Sequence, residues 1–520
     1  MFHKNAFPDT GSWIQTSCSY KSKTHQNRLP NRVNFGDCFN PLTKKAYIIG
    51  GYYEFNELTN DSRLGTLDVN EFDCETQITK ILKLSRSVTL KDKTENAETF
   101  PFGNDTPVMR YGLKTCFLAT EKYKNDIFIY GGMGQASNQN CPSHRQNLSS
   151  VYSYNLKTNR YSRIDCGETL FNPDMTEQMN SPGIRAGHAM VPLPKTTQPG
   201  FLVFGGFLVQ EYSTLNNDLW VFFCTEESTM THKKGKWLEI NPGKFVPKSV
   251  IDWEEVDSFK PLPRDFCEMS VLGDDLVLYG GRCNDSYRIY YDPDVWVIRG
   301  LFENIFSNTE IEQFVNRADT LRWERIKSAQ NVPRNFFISS VPAARRSHIQ
   351  FVRNSKVYIL GGADKRQFHF RDMWGFDLAT EKWNHVSGKL NSCKSNEFLG
   401  RRRGSVAYLP EFDCLFTLCG TRPAVESDDQ TSVTNSDKLY DLDSFDVFQF
   451  GDDLRSLCLE ELVSSCNECE SLTEFTELSE SIQNRLEKSL ESGFRDHFSM
   501  IIGYEVKTAN YMFSGMEKKA

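Results

Sequence analysis

Residues 46–51 read AYIIGG, and the same phrase returns as IFIYGG at 127–132, FLVFGG at 201–206, LVLYGG at 276–281, VYILGG at 357–362 and LFTLCG at 415–420. Each is an apolar run that ends on small residues, as a buried strand does where the chain must leave it through positive φ. Six similar copies decide the fold, because a repeated unit cannot bury its own apolar face and must stack on its neighbours. The pairs are Gly50 and Gly51, Gly131 and Gly132, Gly205 and Gly206, Gly280 and Gly281, and Gly361 and Gly362, with Gly420 following Cys419 in the last copy. Their ends lie 81, 74, 75, 81 and 58 residues apart, which leaves room for loop insertions in nearly every unit.

Upstream of most pairs comes an Arg followed by small residues: Arg110-Tyr-Gly112, Arg185-Ala-Gly-His188, Arg264-Asp-Phe266, Arg345-Arg-Ser-His348 and Arg401-Arg-Arg-Gly404. These read as the start of an inner strand. Downstream comes a polar turn and an aromatic-bearing strand around Trp220, Trp296, Trp374 and Tyr154, and more weakly Leu64 to Leu67. A second aromatic follows in an outer strand at Tyr161, Trp237, Trp323 and Trp383. Four short strands per unit make the blade of a propeller, with the large rings filling the wedge between sheets.

Over about residues 11 to 450 this pattern resembles the kelch superfamily, and the resemblance implies an all-β, six-bladed kelch β-propeller. The chain departs from the family pattern at Cys419, at a sixth unit without its own late Trp, and at a first unit without its middle aromatic. Trp13 supplies an explanation: it stands 19 residues before Arg32, close to the spacing from Trp383 to Arg401. Trp13, in GSWIQTS, is therefore expected to lie on the displaced outer strand of the last blade, closing the ring and leaving no sheet edge. The competing reading closes that blade with Asp446 to Phe450 and leaves Trp13 as a packed arm.

Aromatic residues make up 13% of the 520, with 38 Phe, as suits an all-β core. No apolar stretch is long enough for a membrane span, and the opening residues carry no apolar signal core, so a cytoplasmic protein is expected, with the nucleus also compatible. Fifteen scattered Cys read as reduced thiols rather than a disulfide framework. The net charge of −8 is concentrated: residues 451 to 492 hold 11 acidic and 3 basic side chains, and nothing elsewhere suggests a nucleic-acid surface.

Three insertions interrupt the repeats. Residues 86–106 are polar and expected to be mobile, 241–263 read as an ordered loop, and 301–318 place Leu301, Phe302, Ile305, Ile311 and Phe314 at a spacing that fits one or two short helices. After Phe450 the pattern becomes helical: Phe475, Leu478, Ile482, Leu486 and Leu490 form one stripe on an acidic helix over about 473–492, within a short C-terminal extension, 451–520. That stripe needs a cover, on the repeats, on a second copy or on another protein.

Chemistry is weakly signalled. Cys466 and Cys469, with Cys458 and His497, offer only one close ligand pair, so no metal site is expected. His188 and His348 occupy matching positions in two units and read as structural. No nucleophile, phosphate-binding or dinucleotide motif is present, so neither catalysis nor a cofactor is expected; a kelch-type oxidase or isomerase stands as an alternative. In kelch relatives the strand-start loops and the loops after the Gly pairs are similarly placed at one mouth, where peptides bind. By that resemblance Arg110, Arg185, Arg282, Arg346, Arg403 and Arg422 are candidate contacts for an acidic segment of a protein partner. The other reading is that Arg here tethers the blade through backbone carbonyls. The function implied is a non-enzymatic interaction scaffold or adaptor in signalling or cell polarity; a substrate receptor of a ubiquitin ligase is the alternative.

Overall fold

The computed structural model describes residues 10–14, 32–53, 64–83, 106–118, 120–134, 148–166, 181–194, 199–208, 214–225, 228, 232–240, 260–284, 289–302, 321–328, 341–366, 368–390, 401–423, 439–441 and 445–450. Most of the insertions at 86–106, 241–263 and 301–318, and the acidic extension, lie outside them. Two units divide the chain: Met1–Phe72 with Thr79–Gly451, and Asp73–Ile78 with Asp452–Ala520. Of the second only the short turn at 73–78 is described, where Asp73 accepts from the Glu75 and Thr76 amides.

Each repeat builds one four-stranded antiparallel unit in chain order. The first is Gly36–Asn40, Lys45–Ile49, Val69–Asp73 and Ile78–Lys83; the second is Tyr111–Phe117, Asp126–Met133, Tyr152–Asn155 and Arg160–Arg163. The third is Ala189–Pro192, Gly200–Phe204, Leu219–Cys224 and Gly235–Ile240; the fourth is Glu268–Leu272, Asp275–Tyr279, Val295–Ile298 and Glu324–Ile326. The fifth is Ile349–Arg353, Lys356–Leu360, Met373–Asp377 and Lys382–Leu390. Among the described residues helix is confined to a 3-10 turn, Glu121–Tyr123, and to helical backbone at 148–149 and 301–302. This is the mostly-strand, antiparallel four-strand architecture that the kelch resemblance implies.

The sixth unit takes its strands from both ends of the described chain. Ser405–Leu409, Cys414–Leu418 and Phe445–Phe450 pair in order, and Thr10–Ile14 joins Phe445–Phe450 antiparallel with Trp13 opposite Phe448. The same strand also pairs parallel with the end of the fifth repeat, Trp13 opposite Leu390. Phe445–Phe450 is thus a third strand and not the outer one. A smaller difference falls in the first repeat: Leu64–Gly65 pairs with Tyr52–Tyr53, and the third strand is Val69–Asp73. That strand carries Phe72 where later repeats carry Trp.

The first strands of successive repeats neighbour each other, and that of the first repeat lies beside that of the sixth. Between repeats the packing is aromatic. In the second, third and fourth repeats the residue before the glycine pair meets the late Trp of the following unit: Tyr130 with Trp237 at 4.8 Å, Phe204 with Trp323 at 5.5 Å, and Tyr279 with Trp383 at 5.1 Å between ring centroids. Tyr358 with Phe450 at 5.4 Å and Phe72 with Phe445 at 5.0 Å continue the series through the sixth unit to the first. Such pairs add roughly 0.5–1.5 kcal/mol each beyond the area they bury.

The glycine pairs are required by crowding as well as by φ. At Gly280 (φ +71°) an added Cβ would lie 2.7 Å from both the Arg345 carbonyl and His348 Cε1. Cys419 holds the same conformation at φ +53° in the last repeat. None of the nine described cysteines is in a disulfide, and eight of them are buried. Leu301 and Phe302, at the start of one insertion, are buried in a core shared by the third and fourth repeats.

Candidate functional site

Six arginines stand at equivalent positions before the first strands, and all are buried: Arg32, Arg110, Arg185, Arg264, Arg345 and Arg401. Each donates Nη1 to the carbonyl of the first residue of its own repeat's pair, Gly50, Gly131, Gly205, Gly280, Gly361 and Cys419, at 2.7–3.2 Å. Five also meet an aspartate from the chain leading into or opening the third strand: Asp68, Asp218, Asp292, Asp372 and Asp446. In three repeats that aspartate accepts a Trp indole N–H as well, from Trp220, Trp296 and Trp374. In the second repeat Arg110 donates to the Val108 carbonyl and lies over the Tyr152 ring, with its pKa pulled down to about 10 by burial against the opposing pull of Tyr152 and Tyr161.

Arg110 and Arg185 are therefore interior tethers and cannot reach a partner, which corrects the expectation for both. The Arg282 side chain is partly exposed, and Arg346 and Arg403 stand one and two residues beyond the tethers Arg345 and Arg401. Only the backbone of Arg422 is described, paired with Tyr440 in a hairpin after Gly420.

Two residues beyond each tether the chain turns through positive φ, at Asn34, Gly112, Gly187, Phe266, Ser347 and Arg403. These residues are hydrogen-bonded in sequence: the amides of Gly112, Gly187, Phe266, Ser347 and Arg403 donate to the carbonyls of Asn34, Gly112, Gly187, Phe266 and Ser347 at 2.5–3.2 Å. A chain of backbone bonds thereby runs across all six repeats at the start of their first strands. The segments after the glycine pairs return to the same place. Arg185 pairs with Leu208, Arg264 with Cys283, Arg346 with Ala363 and Arg402 with Thr421.

This geometry gathers three of the predicted arginines. The Arg346 and Arg403 guanidinium carbons lie 5.9 and 5.4 Å from the centre of one ring, Phe266, and Arg346 is also 5.8 Å from the Tyr291 ring. Tyr291 stands opposite Arg282, whose guanidinium grips the buried Asp265 through two hydrogen bonds. Burial raises the Asp265 pKa, opposed by Arg282, Arg346 and Arg403. Burial lowers that of Arg346; Tyr291 opposes the shift and Arg403 adds to it. Arg403 Nη1 reaches Tyr52 Oη at 3.4 Å, while its Nε is buried without a hydrogen-bond partner. The mouth thus holds three guanidinium groups and an aromatic floor, with Asp265 and Asp364 both close to Tyr291. Above it, Lys365, Arg366 and Phe368 are exposed in the loop that Ala363 and His369 close, and Ile289 is exposed near the tip of the Arg282 hairpin.

Behind the mouth the first strands present polar groups to one another. Lys114 Nζ of the second repeat meets Glu268 Oε1 of the fourth at 2.6 Å, and Gln350 of the fifth donates to Ser270 Oγ of the fourth at 2.8 Å. Burial raises the pKa of Asp37 and Glu268, and Lys114 opposes both shifts. For Lys114 burial acts downward, but Glu268 and Asp37 outweigh it and the pKa is raised. His188 and His348 pack against Tyr130 and Tyr279 at 5.5 and 5.4 Å. Burial, then the adjacent Arg185 or Arg345, lowers both, His348 to about 3, so both rings are neutral at physiological pH. Among the described residues no cluster of three His, Cys, Asp or Glu side chains could hold a metal ion, and no helix is long and apolar enough to cross a membrane.

Sequence reasoning missed Asp265, Phe266 and Tyr291. The signal was present in Arg264-Asp-Phe266, since a bulky ring two residues beyond the tether replaces the glycine found at that place in the second and third repeats.

Repeated antiparallel four-strand units with arginine tethers match the architecture of a kelch-type propeller. The chain is similar to kelch-domain proteins. It is similar to Kelch domain-containing protein 3 of Bos taurus, 24% identical over 358 residues, which covers 68% of this chain and 70% of that protein. The Homo sapiens protein of the same name is 24% identical over 354 residues, with the same coverage. Tip elongation aberrant protein 1 of Schizosaccharomyces pombe is 25% identical over 252 residues, 48% of this chain and 16% of that protein. No protein-family model matches the chain.

Proposed function

We propose that the chain is a non-enzymatic protein-interaction scaffold or adaptor, and that its binding surface is the mouth carrying Arg282, Arg346 and Arg403, with Arg422 beside them. The six units act in this reading as a six-bladed propeller closed by Thr10–Ile14. Its support is the pairing of that strand with Phe445–Phe450 and the adjacency of the first and sixth first strands. The observation that carries the binding role is the gathering of the Arg346 and Arg403 guanidinium groups over Phe266, beside the Arg282–Asp265 pair. Guanidinium groups on a rigid, partly desolvated frame favour an acidic segment, because guanidinium forks pair carboxylates bidentately at about 1.5–3 kcal/mol per charged hydrogen bond.

A role in signalling or cell polarity, in the cytoplasm or nucleus, belongs to the same reading and draws support from the likeness to a protein named for tip elongation. The test is affinity purification of the full chain beside an Arg346→Glu/Arg403→Glu variant with an unchanged unfolding midpoint. Proteins recovered with the parent should be lost from the variant and released from the parent by salt. Recovery of the same proteins with both chains refutes the assignment of the surface.

A further inference from the structure

We infer that Phe266 is the positioning residue of the mouth: its ring is the platform that holds the Arg346 and Arg403 guanidinium groups ready for a partner's carboxylate, and it stands at this turn for binding and not for the fold. This role rests on the proposed binding of an acidic segment and adds the side chain that makes the two arginines competent for it.

The backbone does not ask for a ring at residue 266. Six equivalent residues, Asn34, Gly112, Gly187, Phe266, Ser347 and Arg403, turn through φ values between +51° and +71°. Left-handed backbone suits Gly and is tolerated by Asn, whereas a Cβ that carries a bulky group crowds the following carbonyl. In the chain of bonds that joins the repeats Phe266 takes part through its main chain alone. Its amide donates to the Gly187 carbonyl at 2.7 Å, and its carbonyl accepts from the Ser347 amide at 2.9 Å. Glycine would make both bonds without strain. A strained residue whose side chain these bonds do not need points to a separate task for that side chain.

The ring reaches out of its own repeat. A Cβ added to Gly187 would lie 3.3 Å from Phe266 Cε1 and Cζ, so glycine in the third repeat leaves the ring its place. Phe266 rests there against the apolar cluster under the mouth, 6.3 Å from the Phe207 ring, and stays only partly buried. Two guanidinium groups from other repeats stand over it, Arg346 of the fifth at 5.9 Å and Arg403 of the sixth at 5.4 Å. One side chain of the fourth repeat thus touches three others.

The arginines of the mouth are held in two ways. Arg282 is set by a carboxylate, through two hydrogen bonds to Asp265. Arg346 lies between two rings, Phe266 and Tyr291, in the field of Asp265, Arg403 and Arg282. Arg403 has the Phe266 ring and a 3.4 Å bond from Nη1 to Tyr52 Oη, and its Nε is buried without a hydrogen-bond partner. A long arginine side chain loses rotamer freedom when it grips a carboxylate. A ring beneath the guanidinium takes up that loss beforehand and leaves the N–H edge to the ligand. Removing the ring leaves every charge of the mouth in place, Asp265 and Asp364 included, and disperses their geometry.

The test passes the purified full chain over two bead-bound degenerate nonapeptide pools that differ only at the centre, glutamate or glutamine. The parent should be retained on the glutamate pool in preference to the glutamine pool. Phe266→Leu keeps an apolar side chain without a π face, and Phe266→Gly also relieves the turn; each should lower glutamate retention roughly fivefold or more. The unfolding midpoint of Phe266→Gly should stay within about 4 °C of the parent. With isotope-labelled arginine, the Nε–Hε signals lost in Arg346→Gln and in Arg403→Gln identify the two groups, and both signals should shift in Phe266→Leu as the ring current disappears. Parent-like retention by both Phe266 variants, while Arg346→Gln and Arg403→Gln lose theirs, overturns the platform and leaves the acidic-segment reading standing. Equal retention of the parent on the two pools, or parent-like retention by both arginine variants, overturns both. A larger fall in the Phe266→Gly midpoint overturns the assignment of the ring to binding and returns it to the fold.

Discussion

Arg264→Met isolates the tether of the fourth repeat. Arg264 is fully buried; it donates to the Gly280 carbonyl at 3.0 Å, to the Leu262 carbonyl at 3.0 Å and to Asp292 at 2.8 Å. Asp292 is only 2% exposed, so methionine leaves a buried carboxylate with the Trp296 indole and the Asp294 amide as its remaining donors. Breaking one side of a buried ion pair costs about 3–5 kcal/mol, a large share of the stability of any domain. The direction with pH is fixed by Asp292, for which burial acts upward but Arg264 and the indole outweigh it, so its pKa lies below 3.8. A depressed carboxyl contributes stability that is fully present above its unfolded pKa and lost as pH falls through the folded one. Without Arg264 the burial effect dominates and the folded pKa rises. The deficit of Arg264→Met is then full at pH 7 and shrinks as pH falls toward the unfolded value. Adding Asp292→Asn should recover about 1–3 kcal/mol at pH 7, since the orphaned charge is gone. Equilibrium urea unfolding followed by tryptophan fluorescence measures all three chains. A loss under about 1 kcal/mol, or an equal deficit at pH 7 and near the unfolded carboxyl pKa, would refute the tether argument.

Deleting residues 1–20 removes Thr10–Ile14 and bares the Phe445–Phe450 and Ser387–Leu390 edges; the melting temperature should fall and aggregation rise, and an unchanged midpoint would mean that this strand does not close the sixth unit. Gly280→Ala places a Cβ at φ +71°, 2.7 Å from a carbonyl, so a loss of about 2 kcal/mol or more is expected by thermal unfolding, against about 1–2 from φ alone. Lys233→Met leaves Asp126, 1% exposed, without the cation that joins the second and third repeats, and urea unfolding should show a loss of about 3–5 kcal/mol. Lys114→Met strips Asp37 and Glu268 of the cation that opposes their burial. Carboxyls with raised folded pKa values lose stability as pH rises through the window between unfolded and folded values, so this variant's deficit should be larger at pH 8 than at pH 5, as denaturation at the two pH values will report.

Much of the repeat structure was legible in sequence because it is written in local chemistry. An apolar run before paired glycines, an aromatic after a polar turn and a second aromatic in the outer strand each follow from what a strand buries and what a positive-φ turn tolerates, so all six units could be counted from AYIIGG onward. The spacing from Trp13 to Arg32 even pointed to a displaced strand. The arginines show where such reasoning stops. Arg345 and Arg346 are adjacent in sequence and Arg401 and Arg403 two residues apart, all chemically alike, yet one of each pair is a buried tether and the other faces the mouth. For Arg345 and Arg346 a shift of one residue turns the side chain from one face to the other, and Arg403 leaves its tether's face through the positive-φ turn. The same register buried Arg110 and Arg185 and left Arg282 half open. Phe266 gained its place under Arg346 and Arg403 because three repeats far apart in sequence bring the same turn to one chain of hydrogen bonds. Composition and periodicity report what a residue can do, whereas only the assembled repeats decide which charges meet and which are already neutralised.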